Sequence, residues 1–303
     1  EIDRLRHQAT SALLSRRDVI IVASVSCIYN LGVPLNYFES SLHLEVGQPI
    51  VRGDLIRQLV KIQFERTPGQ IKRGQFRARG DVFEIMPASE NVLYKIEIKD
   101  QKIAEINVVD PLTRAVIARP KAEAIPLYGS ENKGIAASSR KVGTSRNDNS
   151  LREIVIFPPK HFISSEPKVK EAIIEIKKEL KERLKYFNEK GMYLEAERLE
   201  RRTKYDMEML KTLGFCHGIE NYSRHLAGKL AGEPPDTLIS YFPRKDNLGF
   251  AKATPGKQAT VPDFLTIMDE SHIGLPQVRG MYEGDRSRKE VLAKFGWRLP
   301  SAL

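Results

Sequence analysis

The 303-residue chain contains no G-x-x-x-x-G-K-[ST] stretch, so it has no loop of the kind that cradles nucleotide phosphates. Its apolar runs are short. None approaches the roughly 20 residues needed to span a membrane as a helix, and no secretory signal pattern is present. Cysteine is scarce: Cys27 and Cys216 each sit in an apolar setting without metal-ligand spacing. This predicts buried free thiols in a reducing cytosol rather than a disulfide or a zinc site. His7, His43, His161, His217 and His225 have no clustered partners in the sequence and read as structural. Acidic residues are outnumbered, 39 against 49 Lys plus Arg. The net charge of +10 suggests a polyanionic partner, although charge alone marks only non-specific attraction. The chain opens at Glu1 without an initiator Met and stops at Leu303 just after a patterned RLPSAL. It reads as an internal piece of a longer protein.

What is present is most informative at Phe264–Pro276, FLTIMDESHIGLP. A short apolar segment closing on Asp269-Glu270 predicts a buried parallel strand that delivers two carboxylates to the carboxyl edge of a sheet, where ligands of open α/β sheets collect. In phosphoryl-transfer machines the first carboxylate holds the Mg²⁺ shell and its neighbour orients the attacking water. A bare apolar-DE pair is more often a strand running into a polar turn. The trailing Ser271-His272 favours the chemical reading, because D-E-x-H after an apolar strand is the second motif of many helicase-type ATPases. With no phosphate loop, the chain would carry half of an ATP site.

Along the rest of the chain, Ile2–Leu14 predicts a basic amphipathic helix, and the apolar run Asp18–Ser26 predicts a second buried parallel strand. From about Asn36 to Val116 the texture changes to short alternating segments. Phe76-Ala78 alternates with Arg77-Arg79, and Tyr94-Ile96-Ile98 with Lys95-Glu97-Lys99. Lys102–Val109 follows a Lys99-Asp100-Gln101 turn. These predict an inserted antiparallel meander with one wet face, preceded by a helix at Asp54–Ile62 with Asp54 as its N-cap. Arg119–Arg152 is rich in Ser, Gly, Asn and Lys without period, which predicts disorder. Val169, Ile173, Ile176, Leu180, Leu184 and Phe187 recur at steps of three and four, predicting a long helix over Lys168–Phe187. A second helix after Gly191 ends at Gly214, which makes a helical hairpin. Asp246–Pro262 reads as a surface loop. The expected segmentation is 1–35 as part of a motor domain, 36–118 as the inserted domain, 119–152 as a disordered insertion, 153–232 as hairpin and motor segment, and 233–303 as the DESH strand and a DNA-binding subdomain with a loop over 244–262.

Four segments carry a family resemblance: EIDRLRHQATSALLSRRDVIIVASVSCIYNLG, FRARGDVFEIMPA, YLEAERLERRTKYDMEMLKTLGFCHGIENYSRHL and MDESHIGLPQVRGMYEGDRSRKEVLAKFGWRLPSAL. In this order the chain resembles the UvrB family, the damage-verifying subunits of bacterial nucleotide excision repair. The resemblance implies a partial RecA-like P-loop helicase motor, a parallel sheet with helices, carrying the inserted α+β domain and the helical hairpin. It implies an SOS-linked, cytoplasmic, helicase-like ATPase using ATP and Mg²⁺, with UvrA, UvrC and damaged DNA as partners and no membrane. The phosphate loop and the DNA-threading β-hairpin would lie upstream and the second motor domain downstream, so this chain alone is expected to be inactive and to hold no cofactor. Ala122–Ser150 and Arg244–Pro262 look like extra material relative to the family, and Asn30 replaces a usual glycine in a turn that Asn tolerates.

Roles carried over by position make Asp269 the Mg²⁺-shell carboxylate, through water, and Glu270 the residue that polarises the attacking water. His272 couples this site to neighbouring motifs. DNA contacts would be Arg6, Arg202, Glu220, Gln277 and Arg298. Arginine forks hold phosphates without reading sequence, whereas Glu220 would pair with a cation or accept from a base or sugar. UvrA docking would use Arg66, Arg77, Arg79, Lys95 and Glu97, although alternation alone equally fits a solvated sheet face. Two other readings stand beside the repair motor. One is a non-catalytic UvrA-binding adaptor like the UvrB-like module of the transcription–repair coupling factor; the other is a decayed or plastid-type copy. The intact DESH, GIENYSR and RRTKY segments favour the motor.

Overall fold

The structure is a computed structural model that describes residues 1–29, 31–117, 150–164, 166–230, 232–243 and 262–302. Asn30, most of the aperiodic Arg119–Arg152 segment and most of the expected loop over 244–262 lie outside these residues. In chain order the elements are α1 (Ile2–Ser15), α2 (Pro34–Glu39), β1 (Leu42–Glu45), α3 (Arg52–Lys61), β2 (Glu65–Arg66), β3 (Gln75–Arg79), β4 (Val82–Met86), β5 (Leu93–Lys99), β6 (Lys102–Val109), β7 (Glu153–Ile156), α4 (Glu166–Glu189), α5 (Tyr193–Leu213), α6 (Ser223–Ala227) and α7 (Ser271–Lys294). They form two compact units. The first gathers Glu1–Val22, Tyr37–His161 and Tyr241–Phe264; the second gathers Ala23–Asn36, Phe162–Ser240 and Leu265–Leu303.

In the first unit, period-two alternation builds a five-stranded sheet of order β2-β3-β4-β5-β6, antiparallel except for the short parallel β2–β3 pair. Ala78 faces Phe83, Phe83 faces Ile96 and Ile96 faces Ile106, so one row of apolar side chains crosses four strands. Phe76, Phe83, Ile85, Ile96 and Ile106 are fully buried, as are Leu55 and Leu59 of α3. Each such side chain is worth roughly 1.5–3 kcal/mol of burial. The β5–β6 turn places Asp100 and Gln101 at positive φ, the primed geometry that matches strand twist. A second, two-stranded antiparallel sheet pairs β1 with β7. Residues expected to be disordered at 150–152 are instead tied in: the Leu151 N–H donates to the Ile106 carbonyl and Val46 N–H to the Arg152 carbonyl, both at 2.8 Å. Helix α3 starts earlier than its acidic residue suggested. Val51 is the N-cap, and Asp54 sits in the first turn, paired with Arg57. There it still favours the positive end of the helix dipole.

The second unit is organised by the α4–α5 hairpin. Val169, Ala172, Ile176, Leu180 and Phe187 of α4 share one core with Ala196, Leu199, Met207 and Leu210 of α5, joined by Cys216, Ile219, Tyr222, Leu226 and Leu299. Helix α5 ends where Gly214 takes a left-handed conformation that a side chain would resist. The last turn of α7 is gripped by arginines: Arg183 donates to the Ala293 carbonyl at 3.0 Å and Arg198 to the Phe295 carbonyl at 2.8 Å. Cations at a helix C-terminus satisfy orphan carbonyls and oppose the negative end of the dipole.

Two expected strands are absent. Asp18–Ser24 forms no strand and is followed by a 3-10 turn at Val25–Cys27, and Ile20 and Val22 are 92% and 96% exposed. Phe264–Met268 is irregular, with Leu265 and Ile267 81% and 84% exposed. A parallel strand needs neighbours for its N–H and C=O groups. Among the described residues no strand runs alongside either segment. The thiols also differ from expectation in part: Cys216 is buried, but Cys27 is only partly so, and neither is in a disulfide.

Candidate functional site

Three of the five residues expected at DNA converge in the second unit. Arg202 projects from α5, Arg298 follows α7, and Glu220 lies in the 3-10 turn Ile219–Tyr222. Their meeting point is Gly218, at φ 79°. A Cβ built there would lie 2.8 Å from Asn221 Nδ2, 3.4 Å from Arg298 Nη1 and 3.6 Å from Arg202 Nη2. Both guanidinium groups therefore close over a bare glycine backbone. Behind them, Asp206 is buried, accepts the Tyr222 hydroxyl at 2.8 Å and lies 3.7 Å from Arg202 Nε. Burial, then the neighbouring Arg202 charge, pulls the Arg298 pKa down, and Glu220 partly offsets this. Burial, followed by Asp206 and Glu220, pushes the Cys216 thiol up to about 12, which leaves it an inert core group. Two crowded cations over an open backbone make a place where an anion would relieve repulsion. Gln277 stands exposed on α7. Arg6 belongs to α1 of the first unit.

The carboxylates of the DESH segment are placed differently from expectation. Asp269 and Glu270 are exposed in a turn rather than at the end of a buried strand. Asp269 Oδ1 accepts the Glu270 N–H at 2.9 Å, and Glu270, at φ 49°, is the N-cap of α7. His272 Nδ1 lies 3.4 Å from Glu270 Oε2. The motif thus forms a local turn, and the described residues around it bring no phosphate-binding group.

On the sheet, Arg77, Glu84, Lys95 and Asn107 align across β3–β6, as do Arg79, Val82, Glu97 and Glu105. This is the polar face that the alternation predicts. Arg77 is less free than a wet face implies: Nε donates to Glu84 Oε2 at 2.7 Å, Nη2 is bonded to the same oxygen, and Nη1 donates to the Gly69 carbonyl at 3.1 Å. Arg114 takes the other Glu84 oxygen at 2.9 Å. Arg79 and Lys95 are exposed, and Glu97 lies 3.2 Å from Lys99. Arg66 pairs in register with Phe76, so it stands at the sheet edge and out of the row that contains Arg77.

Sequence reasoning missed Glu84, Asp206, Asn221 and Gly218, since partners distant in sequence leave no periodic signal. It also read the five histidines outside the DESH segment as isolated. His7 and His161 in fact stack at 3.9 Å, and His225 Nε2 lies 2.7 Å from Glu179 Oε2.

One chain thus carries a largely antiparallel sheet with a charged face and a helical hairpin bearing one of two arginines that converge on Gly218. Residues 42–131 match the family described as the UvrB interaction domain, and residues 167–228 match the UvrB third helical domain. The chain belongs to the UvrB family. UvrABC system protein B of Carboxydothermus hydrogenoformans is 47% identical over 304 residues, with 100% of this chain and 38% of that protein covered. The protein of the same name from Leptospira biflexa is 46% identical over 303 residues, covering 100% and 38%. That from Synechococcus sp. strain JA-2-3B'a(2-13) is 44% identical over 303 residues, covering 100% and 37%. The chain therefore spans well under half the length of these curated relatives. Among the described residues no helix is long and apolar enough to cross a membrane.

Proposed function

We propose that this chain is the partner-docking and DNA-gripping part of a cytoplasmic nucleotide-excision-repair subunit that receives damaged DNA from UvrA and prepares it for UvrC. The observation that carries the reading is the convergence of Arg202 and Arg298 on Gly218, within two of the segments that carry the family resemblance. Guanidinium forks bind phosphate without reading bases, as lesion verification in any sequence requires. The polar sheet face around Arg79, Lys95 and Glu97 is the docking surface for UvrA, with Arg66 at its edge. Arg6 and Gln277 extend the DNA path.

The apolar runs Asp18–Ser26 and Phe264–Met268 are strands of a RecA-like parallel sheet once neighbouring strands are supplied. That much exposed apolar surface is otherwise costly in water. Asp269 and Glu270 would then reach Mg²⁺·ATP at the sheet edge, Asp269 through a metal-bound water and Glu270 at the attacking water, with His272 linking them to adjacent motifs. One observation favours the adaptor reading instead: the DESH carboxylates lie in an open turn with no phosphate loop in the chain. The intact motif and the arginine pocket favour the motor.

The test is damaged-duplex binding by the chain across a salt series. Arg202→Ala and Arg298→Ala should each weaken binding and lower the log–log salt slope by about one unit. Unchanged affinity and slope would remove the pocket from DNA. Nucleotide titration of the chain alone should be silent, and micromolar ATP binding would contradict the division of the ATP site.

A further inference from the structure

A second polar cluster lies in the first unit, where α1 meets the segment following β7. Asp3 and His7 stand four residues apart on α1 and so share one face of the helix. His161, in the segment after β7, stacks on His7, ring centroids 3.9 Å apart and planes 8° from parallel. One carboxylate oxygen and one nitrogen from each ring all lie within 4.8 Å of one another. His161 is only 8% exposed, and neither of its ring nitrogens has a hydrogen-bond partner. An imidazole buried with both nitrogens idle is costly, since each idle polar atom forfeits its hydration.

His7 is oriented from behind. Its Nδ1 lies 2.9 Å from the Tyr37 hydroxyl, which donates to the Pro158 carbonyl at 3.2 Å. A fixed outer partner of this kind sets the tautomer and aims the other nitrogen in metal sites.

We propose that Asp3, His7 and His161 form a binding site for a borderline divalent transition-metal ion such as Zn²⁺ or Co²⁺. Two imidazoles and one carboxylate suit these ions rather than Mg²⁺ or Ca²⁺, which take all-oxygen shells. Asp3 is exposed, which gives the ion an entry side and leaves its remaining positions for water. One feature moderates affinity: the Arg6 charge acts on both imidazoles, and the ion must tolerate it. Because lone pairs lie in the ring planes, the His161 ring would turn out of its stack to share the ion with His7; bound metal would then pin α1 to the segment after β7 and occupy one of the two idle His161 nitrogens.

The experiment titrates Zn²⁺ into the whole chain by calorimetry and Co²⁺ by visible absorption. One saturable equivalent is expected, with ligand-field bands for Co²⁺. Asp3→Asn, at an exposed position, and His161→Phe, which keeps a ring for the stack, should each lower affinity about tenfold or more. If circular dichroism shows His161→Phe to be unfolded, Asp3→Asn alone decides. Absence of a saturable single equivalent, or an Asp3→Asn titration that matches wild type, overturns the site.

Discussion

Consider Arg77 and Arg79, two residues apart on β3 and alike in sequence, which the structure separates in consequence. The side chains of Arg77 and Glu84 are 14% and 21% exposed, and Arg77 also donates to the Gly69 carbonyl. An exposed ion pair contributes about 0–1 kcal/mol, whereas removing one partner of a fully buried pair costs about 3–5 kcal/mol. The Arg77 pair lies between these limits, and Glu84 keeps Arg114 when Arg77 is removed. Arg77→Ala should therefore cost about 2 kcal/mol, a fall of roughly 4–8 °C in the melting of the sheet unit. A double-mutant cycle with Glu84→Ala should return a coupling of about 1 kcal/mol. Arg79 is exposed opposite Val82, so Arg79→Glu should leave stability within about 0.5 kcal/mol while reducing capture of UvrA, chiefly through the association rate. Thermal denaturation and surface-capture kinetics on the same proteins measure both halves. Equal melting for Arg77→Ala and wild type would refute the packing argument, and undiminished capture by Arg79→Glu would refute the docking face.

Burial pushes the Glu179 carboxyl up, but hydrogen bonds from His225 and from Ser301 outweigh it and hold the pKa below its ordinary 4.5. The folded chain then keeps this carboxylate charged where the unfolded chain begins to bind a proton. Its stabilisation is complete above about pH 4.5 and is lost as pH falls. Glu179→Gln should cost about 1–3 kcal/mol at neutral pH and flatten the acid limb of the hairpin unit's melting curve; an unaltered limb would contradict this. Gly218→Ala places a side chain at φ 79° against Asn221, so a loss of at least about 1 kcal/mol is expected together with weaker DNA binding as the arginines are pushed apart. Chemical denaturation in which the Gly218→Ala variant matched the wild type would show that the glycine is not required.

Local patterning sufficed for the meander and the hairpin. Alternation in Tyr94–Lys99, the Asp100-Gln101 turn, the three-and-four spacing from Val169 to Phe187 and the stop at Gly214 are short-range signals, and each produced its element. Local signals fail where the outcome depends on distant groups. An apolar run is a strand only if another strand pairs with it, so Asp18–Ser24 and Phe264–Met268 stay open among the described residues despite strand-like composition. Nothing near Arg77 in the chain announces its fork onto Glu84, and nothing near His7 announces the His161 ring stacked on it from 154 positions away. Arg202 and Arg298 were legible as residue types, but their convergence depends on the fold of the second unit: α5 turning at Gly214, and the end of α7 held by Arg183 and Arg198. Periodicity and turn chemistry act over a few residues, and the sequence determined what rests on them. Charge pairing, ring stacking and the shared glycine at Gly218 act through space, so only the tertiary structure could decide them.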